Sequence, residues 1–350
     1  MSFPKIIIIS AVFIFGLVGA LGLWKKISSS KKVEVAQGNK TESKPQVTPA
    51  QEAKVEKRPH VIVSPEQAQK NEQEKQEKRQ LGPNVPIMIK DDFPNIDRIF
   101  QLFTNGPMKL PIVETVTYST NVSWLKGRPA WIADYANHYN TSRHFIARSL
   151  NGKPDYFTQK VSAGSRFNVF RKDKNINFYL LVDISRCKMG FYYVDLETNE
   201  RVLLKTYCVG LGRIDEQATS GIATPLGKFS LGNKIGIYKP GIMGYFQDQK
   251  MEMIQIFGTR WLPFDQEMEG ATAPSRGYGI NGAPWTEQKS GELVERRDLV
   301  GKYESDGCIR LFQEDIEELF SIVITKPTYV VIVKDYKEAK LPGLEVASPR

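Results

Sequence analysis

Histidine and cysteine are scarce in this chain. Its 350 residues hold three of each: His60, His138 and His144, and Cys187, Cys208 and Cys308. No two cysteines form a Cys-x-x-Cys pair and the histidines are spread apart, which leaves little material for a zinc centre or a multi-histidine acid–base site. No metal and no cofactor are expected. So few cysteines also exclude a disulfide scaffold, while a 41% share of apolar and aromatic residues excludes a wholly disordered chain. Long apolar runs are missing as well, with one exception.

That exception is Ile6 to Trp24, uncharged throughout and bounded by Lys5 on one side and Lys25 and Lys26 on the other. As a helix these residues rise about 28 Å, close to the ~30 Å hydrocarbon thickness and longer than the ~7–15-residue apolar region of a secretory signal. Residues 1–24 therefore read as a single-pass transmembrane anchor in preference to a cleaved signal peptide, for which Ala20 and Gly22 make a poor cleavage site. The lysines that follow the span, Lys25, Lys26, Lys31 and Lys32, favour a cytoplasmic C-terminal part by the positive-inside rule.

Residues 25–95 read as a disordered charged linker, rich in Gln, Lys and Glu and carrying Pro45, Pro49, Pro59 and Pro65. Between positions 25 and 90 there are 14 Lys and Arg against 8 Asp and Glu, so most of the net charge of +9 belongs to this tether. With no clustered basic face and no recognisable module, nucleic acid is not an expected partner.

Two folded regions follow. In the first, Ile112 to Tyr118 is β-rich, Ala130 to Tyr139 has one apolar helical face, and Thr141 or Ser142 can cap a second helix whose apolar side is Phe145, Ile146 and Leu150. Val161 to Val169 closes as a turn and strand. The second region is mainly β, with strand runs at Phe178–Ile184, Met189–Leu196 and Val202–Gly210, then after Thr224–Phe229 and at Met253–Phe257, Tyr278–Ile280 and Thr328–Val333. One helix is expected there, Gln313 to Val323, and residues 337–350 read as a loose tail.

Cys308 stands apart from the other two cysteines. Cys187 and Cys208 fall in strand-like runs and read as small buried hydrophobes, with a cross-strand disulfide as the alternative. Cys308 lies in Ser305-Asp306-Gly307-Cys308-Ile309-Arg310-Leu311, a glycine-containing turn before the helix. Such a turn supplies the partial exposure and backbone N–H donors that a nucleophilic thiol needs.

Two resemblances come from these motifs. The segment AWIADYANHYNTSRHFIARSLN with its V-x-x-G-x-x-F-x-V ending resembles the LysM module, which implies a small α+β glycan-binding domain over 96–172. TPLGKF, GYGINGAPW (277–285) and SDGCIRL, in that order, resemble the YkuD-type L,D-transpeptidase domain, which implies a mainly β catalytic module over 173–336. The resemblance implies that Cys308 attacks the peptide bond after the third residue of a peptidoglycan tetrapeptide stem, releases D-alanine and passes the acyl group to an acceptor amine. Gly307, Ser305, Arg310, Gly282 and Trp285 would then hold the oxyanion and substrate. It also implies peptidoglycan stem peptides and glycan strands as partners. The C-terminal domains would face the periplasm or cell-wall space from the inner membrane, against the orientation the lysines favour.

The chain departs from the family at its histidines. The histidine that opens the H-G or H-S-x-P-W motif is Asn281 here, the one in S-H-G-C is Asp306, and a charged insertion, Glu287 to Glu304, separates the motifs. Asn281 and Asp306 are expected to shape the site around Cys308. Loss of general acid–base help costs typically about 10²–10⁴-fold, so a second reading stands beside the enzyme: a peptidoglycan-binding module without competent chemistry. An L,D-carboxypeptidase, with water in place of the acceptor amine, is a third.

Overall fold

A computed structural model of the protein describes residues 91–346 except Asp155, Thr158 and Gln159. The expected anchor, nearly all of the expected linker and residues 347–350 lie outside the described residues. Among the described residues, no helix is long and apolar enough to cross a membrane.

The first folded region runs α1 (Phe100–Phe103), β1 (Val113–Thr117), α2 (Ile132–His138), α3 (Arg143–Asn151) and β2 (Arg166–Phe170). β1 and β2 pair antiparallel from Val113 opposite Phe170 to Thr117 opposite Arg166, so the two helices are an excursion between paired strands. Ser142 caps α3 by accepting a hydrogen bond from the Phe145 N–H at 2.9 Å, and Gly152 ends the helix at φ +76°. One side of this unit closes over its own small core, which includes Tyr118, Tyr135, Ile146, Phe167 and Val169. Its other side does not. Leu102, Ile112, Val113, Phe145 and Phe170 join the same apolar cluster as Phe178, Phe191 and Phe320 of the region that follows. The two regions therefore share a core, and the Ser142 hydroxyl donates across the seam to the Ser321 carbonyl at 2.5 Å.

The second region continues with β3 (Ile176–Asp183), β4 (Lys188–Asp195), β5 (Glu200–Cys208), β6 (Leu211–Gly212), β7 (Gly227–Leu231), β8 (Ile235–Gly236), β9 (Met243–Phe246), β10 (Gln249–Glu252), α4 (Ile254–Phe257), β11 (Arg260–Glu267), β12 (Gly279–Gly282), β13 (Trp285–Glu287), β14 (Leu293–Glu295), β15 (Tyr303–Ser305), β16 (Ile309–Leu311), α5 (Gln313–Val323), β17 (Thr328–Val333) and β18 (Leu344–Glu345). The main sheet has the order β16-β12-β11-β7-β17-β3-β4-β5-β18, with β8 beside β11. Its middle is buried on both faces. Phe178, Leu180 and Val182 of β3 enter the main core, whereas the alternate residues Tyr179 and Leu181 enter a second layer with Tyr192, Val194 and Leu203.

Two sequence expectations change here. Met253–Phe257 is not a strand but ends in the one-turn helix α4, because Gly258 at φ +60° closes the turn before β11 can begin. The segment from Lys337, expected to be loose, packs Ala339 and Leu341 behind Tyr336 over the second layer and adds β18 to β5. Arg186 helps to pin it: this buried guanidinium pairs at 2.6 Å with the fully buried Asp183, reaches Asp335 and Asp92, and lies 5.0 Å from the Tyr336 ring. The charged insertion 287–304, on whose structure no expectation was set, completes the β13–β14 hairpin and adds a 3₁₀ turn, Arg297–Leu299, with Arg297 bridging Glu295 and Glu314.

Candidate active site

The site lies at the β11–β12–β16 edge. β12 pairs antiparallel with β11, placing Asn281 opposite Trp261, and parallel with β16, placing Asn281 beside Arg310. Ile280, Ile309 and Leu311 point into the core, so alternation sends Asn281, Arg310 and Trp261 to the other face. Cys308 immediately precedes β16 and, two residues from Arg310, falls on that same face. Its half-buried thiol lies 3.6 Å from the Gly277 carbonyl and receives a backbone hydrogen bond from Gly279. The thiol is thus held against the Gly277-Tyr278-Gly279 approach to β12.

Glycine is obligatory immediately before the cysteine. Gly307 has φ +116°, and a Cβ there would lie 2.4 Å from Tyr278 Cε1 and 2.7 Å from the Ala223 carbonyl oxygen. The turn is bound from beneath. The Thr224 hydroxyl donates to the Gly307 carbonyl at 3.0 Å and accepts from the Gly212 N–H at 2.8 Å, while the buried Ser305 hydroxyl donates to the Cys308 carbonyl at 2.7 Å. Ser305 also accepts the Gly307 N–H at 3.0 Å. That donor is therefore committed inside the turn rather than directed outward.

Electrostatics do not favour the thiolate. Burial pushes the Cys308 thiol up to about 11; Arg310 and the Gly279 N–H pull it down less than burial lifts it, and Asp306 adds to the rise. Asp306 is exposed and pairs outward with Arg213. Arg310 is half-buried, with its own proton affinity lowered by burial, and its Nε is enclosed without an acceptor. Asn281 is 2% exposed; its Nδ2 donates to the Gly282 carbonyl at 2.7 Å and its Oδ1 has no donor.

The remaining sequence candidates lie elsewhere. Gly282 faces α5, where a Cβ would come within 3.2 Å of Ile316 Cγ2. Trp285 begins the β13–β14 hairpin with a buried indole N–H that lacks an acceptor. Neither described histidine belongs to the thiol's face: His138 stacks on Trp124 at 4.2 Å, and His144 packs against Tyr238 and Phe320. Cys187 and Cys208 are both free, and Cys187 occupies a turn at φ +50° rather than a strand. The residues that sequence reasoning missed are Thr224, Tyr278, Gly279 and Trp261. The first three stand inside the quoted TPLGKF and GYGINGAPW motifs, where their spacing alone did not reveal that they wrap the Gly307 turn.

Comparison with known proteins adds a family to this geometry. Residues 177–332 match the family described as YkuD, the L,D-transpeptidase catalytic domain. YqjB of Bacillus subtilis (strain 168), provisionally named as an L,D-transpeptidase, is 29% identical over 164 residues, covering 44% of this chain and 77% of YqjB. Among solved structures, Bd1075 of Bdellovibrio bacteriovorus is 14% identical with a TM-score of 0.30, covering 45% of this chain and 48% of that one. The helical cell shape determining protein Pgp2 from Campylobacter jejuni is 16% identical with a TM-score of 0.32, covering 49% and 51%. This chain spans about half the length of those two structures.

Proposed function

The protein carries a YkuD L,D-transpeptidase catalytic domain at residues 177–332, and from that premise we propose that it is a peptidoglycan L,D-transpeptidase with Cys308 as its acyl-carrying nucleophile. The observation that carries the reading is the Gly307–Cys308 turn. It presents a thiol on the face shared by Asn281 and Arg310, with Thr224 and Ser305 fixing the backbone beneath it.

In this proposal the Cys308 sulfur attacks the carbonyl after the third stem residue and its proton passes to solvent. The C–N bond to D-alanine breaks, the leaving amine takes a proton from solvent, and a thioester remains. An acceptor amine then attacks the thioester and returns the thiol. Asn281 shapes the site beside the thiol, and Arg310 orients the stem and favours the thiolate. A thiol at about 11 is only about 10⁻⁴ ionised near neutral pH, so turnover is slow there and increases with pH.

A second reading is favoured by that same raised thiol and by Asn281 and Asp306 at the histidine positions: a module that binds stem peptides without cleaving them. Incubating the full chain with a tetrapeptide stem separates the two. A thioester adduct on Cys308 with D-alanine release, both lost in Cys308→Ala, supports the enzyme; saturable stem binding with neither product supports the binder.

The same proposal extends to the rest of the chain. Residues 96–172 act as a LysM-like glycan-binding unit, supported by their strand–helix–helix–strand order. Residues 1–24 hold the protein in the inner membrane with its folded part in the periplasm or cell-wall space. A topology reporter fused after Arg350 that shows a cytoplasmic C-terminus would overturn this placement.

A further inference from the structure

A polar cavity lies on the opposite face of β11 from the thiol. Trp261 faces Asn281, so its neighbour Arg260 points the other way, towards α5 and the first folded region. Arg260 is 7% exposed, and its guanidinium sits between the rings of Tyr238, at 4.7 Å, and Phe320, at 5.1 Å. Nη1 donates to the Thr259 carbonyl at 2.6 Å and reaches Glu317 only at 3.9 Å. Nε is enclosed and has no acceptor. Arg260 lines this cavity, and a guanidinium is suited to a two-pronged carboxylate contact.

The cavity has a volume of about 260 Å³ and is lined by Arg260, Glu317, Tyr238, His144, Tyr156 and Phe157. A cavity of that size accommodates a small head group. Its walls are mostly rings, and its two charges are opposite. The Glu317 side chain is 17% exposed, and the hydrogen bond it accepts from Gln313 at 3.2 Å leaves it further acceptor capacity. Arg143 stands close by, 4.6 Å over the Tyr156 ring, and adds positive charge that favours an anion.

We propose that this cavity binds an α-amino-acid head group, with the carboxylate on Arg260, the ammonium on Glu317 and the side chain against Tyr238. The head group comes either from a free amino acid or from a zwitterionic residue of a stem peptide. The site is separate from Cys308 and does not depend on transpeptidation taking place.

The test titrates the full chain carrying Cys308→Ala, which removes reaction at the thiol, with D-alanine, L-alanine, propionate, ethylamine and a tetrapeptide stem, read by calorimetry. Saturable binding of alanine, about tenfold or more tighter than propionate and ethylamine, identifies a free amino acid as the source. Saturable binding of the stem alone identifies the peptide. In either case Glu317→Gln and Arg260→Lys must each weaken binding about tenfold or more, with circular dichroism showing a folded protein. Glu317→Gln keeps the test decisive if Arg260→Lys does not fold. The proposal is overturned by the absence of saturable binding, by propionate binding as tightly as alanine when the stem does not bind, or by binding that Glu317→Gln leaves unchanged. A wild-type protein that forms no acyl adduct but binds alanine in a Glu317-dependent way would refute the transpeptidase reading and leave this one standing.

Discussion

The two faces of the β11–β12–β16 edge solve opposite problems with similar parts. On the front, Cys308, Asn281 and Arg310 are placed by strand alternation beside a turn held by the Thr224 and Ser305 hydroxyls. On the back, Arg260 and Glu317 are placed by packing between aromatic rings and α5. Each face keeps enclosed polar atoms without a partner: Asn281 Oδ1 and Arg310 Nε in front, Arg260 Nε behind. The front is a turn fixed by hydrogen bonds, whereas the back is a packed seam that retains cavities along it. A substitution in front should therefore alter reaction more than stability, and one behind should do the reverse.

The largest expected break is behind. Phe320 is 1% exposed and packs on Arg260 and His144 at the seam, so Phe320→Ala should cost about 3–5 kcal/mol of stability in denaturant unfolding. The protein that stays folded should still place Cys308 correctly. Next is Gly307→Ala in front. Its Cβ meets Tyr278 and the Ala223 carbonyl at a strongly positive φ, which costs about 1–3 kcal/mol of strain. Displacement of the thiol should lower acylation by about 10²-fold, measured by adduct mass over time.

A gain is expected from Asn281→His, which restores an imidazole on the thiol's face. Acylation should increase by about tenfold or more, within the range of general base help. No increase, alongside a Cys308-dependent reaction, would show that the proton is handled by another group. The thiol can also be probed without substrate. With Cys308 pushed up to about 11, alkylation by iodoacetamide should increase about tenfold per pH unit from 7 to 10; a plateau by pH 8 would show that the thiolate is stabilised. Arg213→Gln should do least. It removes an exposed partner of Asp306, and exposed pairs contribute little, so the unfolding midpoint should not separate from that of the parent.

Local signals made much of the front legible. β-Branched and aromatic runs announced β3, β4 and β17, the i, i+3, i+4, i+7 pattern announced α5, and the GYGINGAPW and SDGCIRL motifs marked the segments that lie side by side as β12 and β16. The missed features depend on contacts between distant residues. MIQIF alternates like a strand, but Gly258 turns it into a single helical turn. The C-terminal segment carries no long apolar run, yet Arg186, Tyr192 and Leu203 wait for it across 130 residues or more of chain. The cavity behind β11 brings together Arg260, Glu317 and the α3–β2 loop, and no sequence window spans those three.

The central claim is that Cys308 carries an acyl group. Intact-protein mass spectrometry of the full chain after incubation with a tetrapeptide stem tests it most directly. The account predicts a tripeptide-sized thioester adduct that forms faster as pH rises, is accompanied by equimolar D-alanine and is absent from Cys308→Ala. An unmodified protein at every pH up to 10, while stem binding saturates, would contradict it.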